Sequence, residues 1–209
     1  MPGEQVSNMK IKTILAVAVV GFATALAGCT SGQVFTSSYR TVRDAGYQVP
    51  SVPVSRLDRK YHRQVVKFET KEKPGTVIVD TSEKFLYFVM PEGKAMRYGI
   101  GVGRDGFTWS GTHRVTRKAE WPGWTPPAVM RARERAKGKI LPAYMPGGLQ
   151  NPLGARAMYI GSTIYRIHGS PEWNSIGRNV SSGCIRLINQ DVIDLYNRVE
   201  VGAKVIVKR

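Results

Sequence analysis

Two side chains able to do covalent chemistry near neutral pH occur together once in this sequence. The stretch IHGSPEWNSIGRNVSSGCIRL, residues 167–187, holds His168, one of three histidines, and Cys184, one of two cysteines. That pair suits acyl transfer: a thiolate attacks a carbonyl, an imidazole moves the proton, and backbone N–H groups stabilise the oxyanion. The small residues Ser181, Ser182 and Gly183 would leave the sulfur accessible and the nearby amides open. An unperturbed thiol has a pKa of ~8.5 and is mostly protonated at neutral pH. A histidine partner and the neighbouring cation Arg186 would both favour the thiolate. Spacing alone also allows a small buried cysteine and an unrelated core histidine.

No other stretch offers equal chemistry. His62, in KYHRQ, reads as solvated, and His113, in GTHRV, as structural or solvated rather than cleft-lining. No cluster of His, Cys, Asp or Glu has metal-ligand spacing, so no metal and no cofactor are expected. GIGVGRDG lacks the glycine spacing and the Lys-Ser or Lys-Thr of a phosphate loop. Trp109, Trp121 and Trp124 read as core or cleft lining. Trp173, between the histidine and the cysteine, and Tyr144 and Met145, in the turn-rich segment 140–154, are the residues expected to line a substrate.

The other cysteine points to a compartment. Residues 14–28 carry no charge and follow Lys10 and Lys12, the form of a secretory signal. The run is shorter than the ~20 apolar residues of a membrane span. It ends in Leu26-Ala27-Gly28-Cys29, which resembles a bacterial lipobox, so cleavage after residue 28 and lipid attachment at Cys29 are expected. Thr30 in place of an aspartate resembles sorting to the outer membrane of a two-membrane bacterium. Met9, followed by Lys10, makes a better start than Met1. With Cys29 lipidated, Cys184 has no disulfide partner, and a lone thiol outside the cytoplasm is exposed to oxidation. That favours a functional thiol, against the alternatives of a buried hydrophobe or a Cys29–Cys184 disulfide.

The chain is strongly basic. Its formal net charge is +16, and removing residues 1–28 takes away two lysines and one glutamate, leaving +15. In an exported lipoprotein such charge suits acidic wall polymers or anionic lipid rather than nucleic acid.

The elements that must hold the pair read as mostly β. TVIVD (76–80), FLYFVM (85–90), AMRYGIGVG (95–103) and HRVTRKAEW (113–121) have strand character. ARAMYIG (155–161) and TIYRIHG (163–169) form a hairpin around Ser162, placing His168 at a strand end, and AKVIVK (203–208) closes the domain. Helices are expected over 127–139 and from a capping Asn189 to about Arg198, with Val192, Leu195, Tyr196 and Val199 on one face. Residues 29–69, with Pro50 and Pro53 and no useful periodicity, read as a lipidated N-terminus and tether, leaving 70–209 as one domain.

Taken together, HG followed by SSGCIRL, NPLGARAMYIG before the histidine strand, and PGTVIVDTSEKFLYFV at the domain start resemble the L,D-transpeptidase catalytic domain family, over roughly residues 70–209. The resemblance implies a compact, β-sandwich-like, mainly β domain with a few short helices. It implies Cys184 as nucleophile, His168 as base, and the Gly169 carbonyl orienting the imidazole. The backbone around Ser182, Gly183 and Cys184 would form the oxyanion hole, with Arg186 arranging the site. Many members carry a histidine where this chain has Ser182, which leaves His168 as the single histidine of the motif.

The implied reaction joins peptidoglycan stem peptides at their third residues through a cysteine thioester, and carbapenems would acylate the same thiol. Alternative acceptors are an outer-membrane protein or water. Two further readings are a wall cysteine peptidase and a non-catalytic wall-binding lipoprotein.

Overall fold

The computed structural model describes Met1 and residues 39–209. The expected signal peptide, the lipobox and Cys29 lie outside the described residues. In chain order the strands are β1 (Val42–Asp44), β2 (Tyr47–Val49), β3 (Gln64–Lys67), β4 (Val77–Asp80), β5 (Phe85–Met90), β6 (Lys94–Gly99), β7 (Val102–Gly103), β8 (Gly111–Glu120), β9 (Arg156–Ile160), β10 (Arg166–Ser170), β11 (Asn179–Ser181), β12 (Ile185–Ile188) and β13 (Lys204–Lys208). The described helices are α1 (Ala128–Arg135) and α2 (Asn189–Arg198). The mainly β expectation holds.

Nine strands form one sheet in the order β12-β10-β9-β8-β13-β4-β5-β6-β3. The β-branched run of β4 is buried at Val77, Ile78 and Val79 alike, as a strand covered on both faces requires. β8 joins the two halves. Its residues Gly111–Arg114 pair with β13, its residues Val115–Glu120 pair with β9, and the register shifts between Val115 and Arg117. Such a bulge bends a strand and raises its twist, which curls the sheet. AKVIVK does form a strand, but a central one, between β8 and β4.

Helix α2 packs on β9, β10 and β12 through Val192, Leu195 and Val199, against Met158, Ile167, Ile185 and Leu187. Asn189 is not its cap. Ile188 holds that position, and the Asn189 side chain accepts a hydrogen bond from the Ala155 backbone N–H at 2.9 Å. This ties the start of the helix to the strand that leads into the site.

The expected tether is, over its described residues from Tyr39, packed structure. β1 and β2 form a hairpin, and β3 extends the sheet beside β6. Tyr39, Val52 and Leu57 are buried with Ile176 and Ile188 in a second apolar cluster. Asp44 receives a two-point bond from Arg156, both contacts 2.7 Å, and another from Trp121 Nε1 at 2.7 Å. His62, expected in solvent, is buried against the Leu57 carbonyl at 3.1 Å and the Tyr39 ring. Prolines and three-residue strands hide this segment from any periodicity test, while single anchors hold it down.

Candidate active site

β10 and β12 run parallel, with Ile167 opposite Ile185 and His168 opposite Arg186. In a parallel ladder, side chains in register share a face, and alternate residues along a strand share it too. Extending that register one step back sets Arg166 alongside Cys184, which immediately precedes β12, and the Arg166 backbone and guanidinium do lie against the thiol. Arg166, His168, Cys184 and Arg186 therefore form a four-residue patch, with the arginines on one diagonal and the reactive pair on the other. All four line one cavity of about 370 Å³.

The opposite face of the ladder belongs to α2, and it explains the glycine after the histidine. A Cβ at Gly169 would lie 2.8 Å from Val192 Cγ1 and against Asn189 Oδ1. The helix can approach only because that side chain is missing. The Gly169 carbonyl then lies 2.6 Å from His168 Nδ1. A carbonyl only accepts, so Nδ1 carries the hydrogen and Nε2 keeps its lone pair as the basic nitrogen.

The cysteine loop is backed by the GIGVG run. β11, just before Ser182, pairs with β7, and Gly101 and Arg186 exchange backbone bonds of 2.9 and 2.8 Å. Those glycines are packing features: a Cβ at Gly101 would sit 2.7 Å from the Ser175 carbonyl. Gly183 has φ of +105°, and a Cβ there would strike the Tyr165 ring. Trp109 stacks on Tyr165 and donates from Nε1 to the Gly183 carbonyl at 2.7 Å. Ser181 Oγ donates to the Cys184 carbonyl at 2.6 Å and accepts from the Gly183 N–H at 3.0 Å. The Gly183 amide, expected to face an oxyanion, is therefore already engaged.

The electrostatics differ from the expected thiolate. His168 is 3% exposed, and burial, followed by the Arg186 charge, pushes its pKa down to about 3 against the opposing hydrogen bond to the Gly169 carbonyl, with a smaller push from Arg166. Burial also pushes the Cys184 thiol up, and the backbone and guanidinium of Arg166, with Arg186, only partly offset it. The resting pair at neutral pH is a neutral imidazole and a thiol. Transfer of the proton must be coupled to attack on a bound carbonyl.

Sequence reasoning missed three cations of this cavity, Arg166, Arg133 and Lys139. The i, i+2 alternation of TIYRIHG puts Arg166 on the face of His168 and could have revealed it. Arg133 comes from α1, the expected basic helix. It meets Ser182 Oγ at 3.5 Å and its own neighbour Glu134 at 3.1 Å. Arg186 is held by Glu172 at 2.8 Å.

Three expected lining residues lie elsewhere. Trp173 packs against the second apolar cluster beneath the Arg56 guanidinium, because the loop after β10 turns toward the N-terminal segment. Met145 is paired through its backbone with Trp124, with two bonds of 2.8 Å, and Tyr144 closes over Gly123 while remaining largely exposed. From segment 140–154 the cavity takes Leu141, Pro152 and Leu153 instead. His113 packs edge-on to Trp109. Among the described residues no three His, Cys, Asp or Glu side chains meet to hold a metal.

The profile of the L,D-transpeptidase catalytic domain matches residues 74–207. Probable L,D-transpeptidase YbiS of Escherichia coli (strain K12) is 42% identical over 135 residues, covering 62% of this chain and 43% of that protein. The chain thus spans less than half the length of that relative. A solved structure from Brucella melitensis, named a probable carnitine operon oxidoreductase, is 43% identical and covers 73% of this chain and 96% of that one, at a TM-score of 0.48. The Ldtfm–avibactam carbamoyl enzyme shares the fold at 20% identity and a TM-score of 0.52, covering 66% of this chain and 50% of that one.

Proposed function

The chain belongs to the L,D-transpeptidase catalytic domain family, and on that premise we propose that it cross-links peptidoglycan stem peptides through a thioester on Cys184. Cys184 Sγ attacks the carbonyl of the donor's third residue as its proton passes to His168 Nε2. The C–N bond to the terminal D-alanine breaks, and the leaving amine takes that proton. The amine of a second stem then attacks the thioester. Its proton returns through His168 to the departing sulfur, and a link between two third-position residues remains.

The observation that carries this reading is the placement of His168 on β10 and Cys184 immediately before the adjacent β12, both lining one cavity, with the imidazole tautomer fixed by the Gly169 carbonyl. With the Gly183 amide bonded to Ser181, the Cys184 N–H is the oxyanion donor we assign, and Ser182 and Arg186 border the same place. The net charge of +15 after removal of residues 1–28 draws in donors and acceptors that both carry carboxylates.

Incubation of protein lacking residues 1–29 with tetrapeptide muropeptides tests the proposal. Dimers joined through residue three, falling in yield as salt rises, are expected. Acyl-enzyme that ends only in hydrolysis would move the reading to carboxypeptidase action or to attachment of an outer-membrane protein.

We place the protein outside the cytoplasm of a two-membrane bacterium, anchored by lipid on Cys29, on the strength of the LAGC stretch. Metabolic labelling with a palmitate analogue should mark the native protein, and label persisting on Cys29→Ser would rule the anchor out.

A further inference from the structure

The arginines around Cys184 are not equivalent. Arg186 is occupied by Glu172, and Arg133 by Glu134. Arg166, directly across the ladder from Cys184, has no carboxylate partner among the described residues. One of its terminal nitrogens, Nη1, donates to the Ile164 carbonyl at 3.1 Å, and its plane lies 5.2 Å from the centre of the Tyr159 ring. Its Nε is buried and has no acceptor, and the same holds for the Nε of Arg186 in the same cavity. What sets Arg166 apart is a charge that no carboxylate among the described residues neutralises, beside the nucleophile and lining the reaction cavity.

We propose that Arg166 is a specificity-determining residue that takes a carboxylate of the donor peptide next to the scissile carbonyl. The inference rests on the reading of this site as a peptide acyltransferase. A guanidinium presents paired N–H groups in a planar fork that matches a carboxylate at two points. Its position opposite Cys184 restricts the partner to a carboxylate close to the attacked carbon. A free-acid stem has two such groups, the terminal carboxylate of the leaving residue and the side-chain carboxylate of a third-position diamino acid. A donor amidated at both would leave the Arg166 guanidinium without an anionic partner, in a cavity where Lys139, Arg133 and Arg186 face Glu134 alone among the acids lining it. A site built around a buried polar contact rejects the analogue that lacks the partner.

The test is binding to the full chain carrying Cys184→Ala, where neither turnover nor thiol ionisation contributes. The probes are a fluorescent tetrapeptide stem with a diamino acid third and the same peptide amidated at both carboxylates. The free acid should bind roughly tenfold more tightly, the scale of one charge-assisted hydrogen bond. Adding Arg166→Gln should bring the ratio close to one, and Arg166→Lys should restore part of it, since an ammonium supplies charge without the fork. If the Gln variant does not fold, the reduced ratio of the Lys variant reads the same contact. Equal affinity for both peptides, no measurable binding of the free acid, or a preference that survives both changes would overturn the proposal. Failure to cross-link by the Cys184 protein would instead count against the transpeptidation reading, independently of this ratio.

Discussion

Arg186 faces His168 in register across the β10–β12 ladder, so a permanent cation confronts the imidazole from the next strand. The imidazole is kept neutral, its charged form opposed by burial, by Arg186 and by Arg166. This arrangement sets the pH behaviour of the site.

The reactivity of Cys184 should rise with pH through and beyond the ordinary thiol range, because burial raises the thiol pKa. No step should occur near pH 6.5, because His168 stays neutral down to about pH 3. The rate of alkylation by iodoacetamide between pH 5 and pH 10 checks this. A plateau already reached at pH 7 would mean a preformed thiolate–imidazolium pair.

Cys184→Ala should give no covalent adduct with a carbapenem in intact-protein mass spectrometry, while the unaltered protein gives one. His168→Gln should fold and still alkylate, yet lose ~10²–10⁴ in acyl transfer, the usual range for removal of a general base. An adduct of equal yield on the alanine variant would remove Cys184 from its role.

Gly169→Ala should destabilise the protein by about 1–3 kcal/mol, the cost of an overpacked core, by forcing α2 away from β10. Its Cβ meets Val192 and Asn189, so the His168 carbonyl anchor shifts with it. Chemical denaturation and the acylation rate should fall together. Unchanged stability would mean that the helix yields without strain.

Asp44→Ala should cost about 3 kcal/mol or more, since it leaves the nearly buried Arg156 charge with a 3.6 Å contact to Glu120 as its one remaining carboxylate, beside the Ala155 carbonyl at 2.8 Å. Deletion of residues 39–69 should be worse still, as it removes β3 and the second apolar cluster as well. Thermal unfolding of the two variants, measured side by side, gives the comparison.

Asp191 supplies a pH dependence of stability. It is fully buried beside Tyr39, Arg63 and Asp194, and burial raises its pKa from 3.8 to about 7 despite the Arg63 charge and the Tyr39 hydrogen bond. The folded state binds the proton more tightly than the unfolded one, so this contribution is fully present below about pH 4 and is lost as pH rises to about 7. Asp191→Asn should flatten that part of the curve. A slope unchanged between pH 4 and pH 7 would show that Asp191 is ionised in the folded state.

Much of the fold was legible because its strands announce themselves. VIVD and FLYFVM are β-branched or aromatic and bounded by turns, and the 155–169 hairpin carries its own punctuation. That His168 and Cys184 would share one cavity was legible because they are close in sequence and bracketed by glycines. The segment 39–67 was not, because its stability comes from contacts with residues far along the chain, Tyr39 with Asp191 and Asp44 with Arg156. The thiol was misjudged for a related reason. Sequence shows which charges are near, but not that burial outweighs them. Trp173 was misplaced because nearness in sequence to the cysteine says nothing of which way a loop turns.

The position of β13 has a consequence for assembly. It is the last strand of the described residues and yet joins β4 to β8, with Val205 opposite both Val77 and His113. Until it arrives, the early hairpins and the half-sheet carrying His168 are separate, each with an unpaired edge. Closing so long a loop is slow, and both edges are open meanwhile to pairing with another chain. A ribosome paused before Lys204 would hold a chain able to build both halves of the sheet and unable to join them.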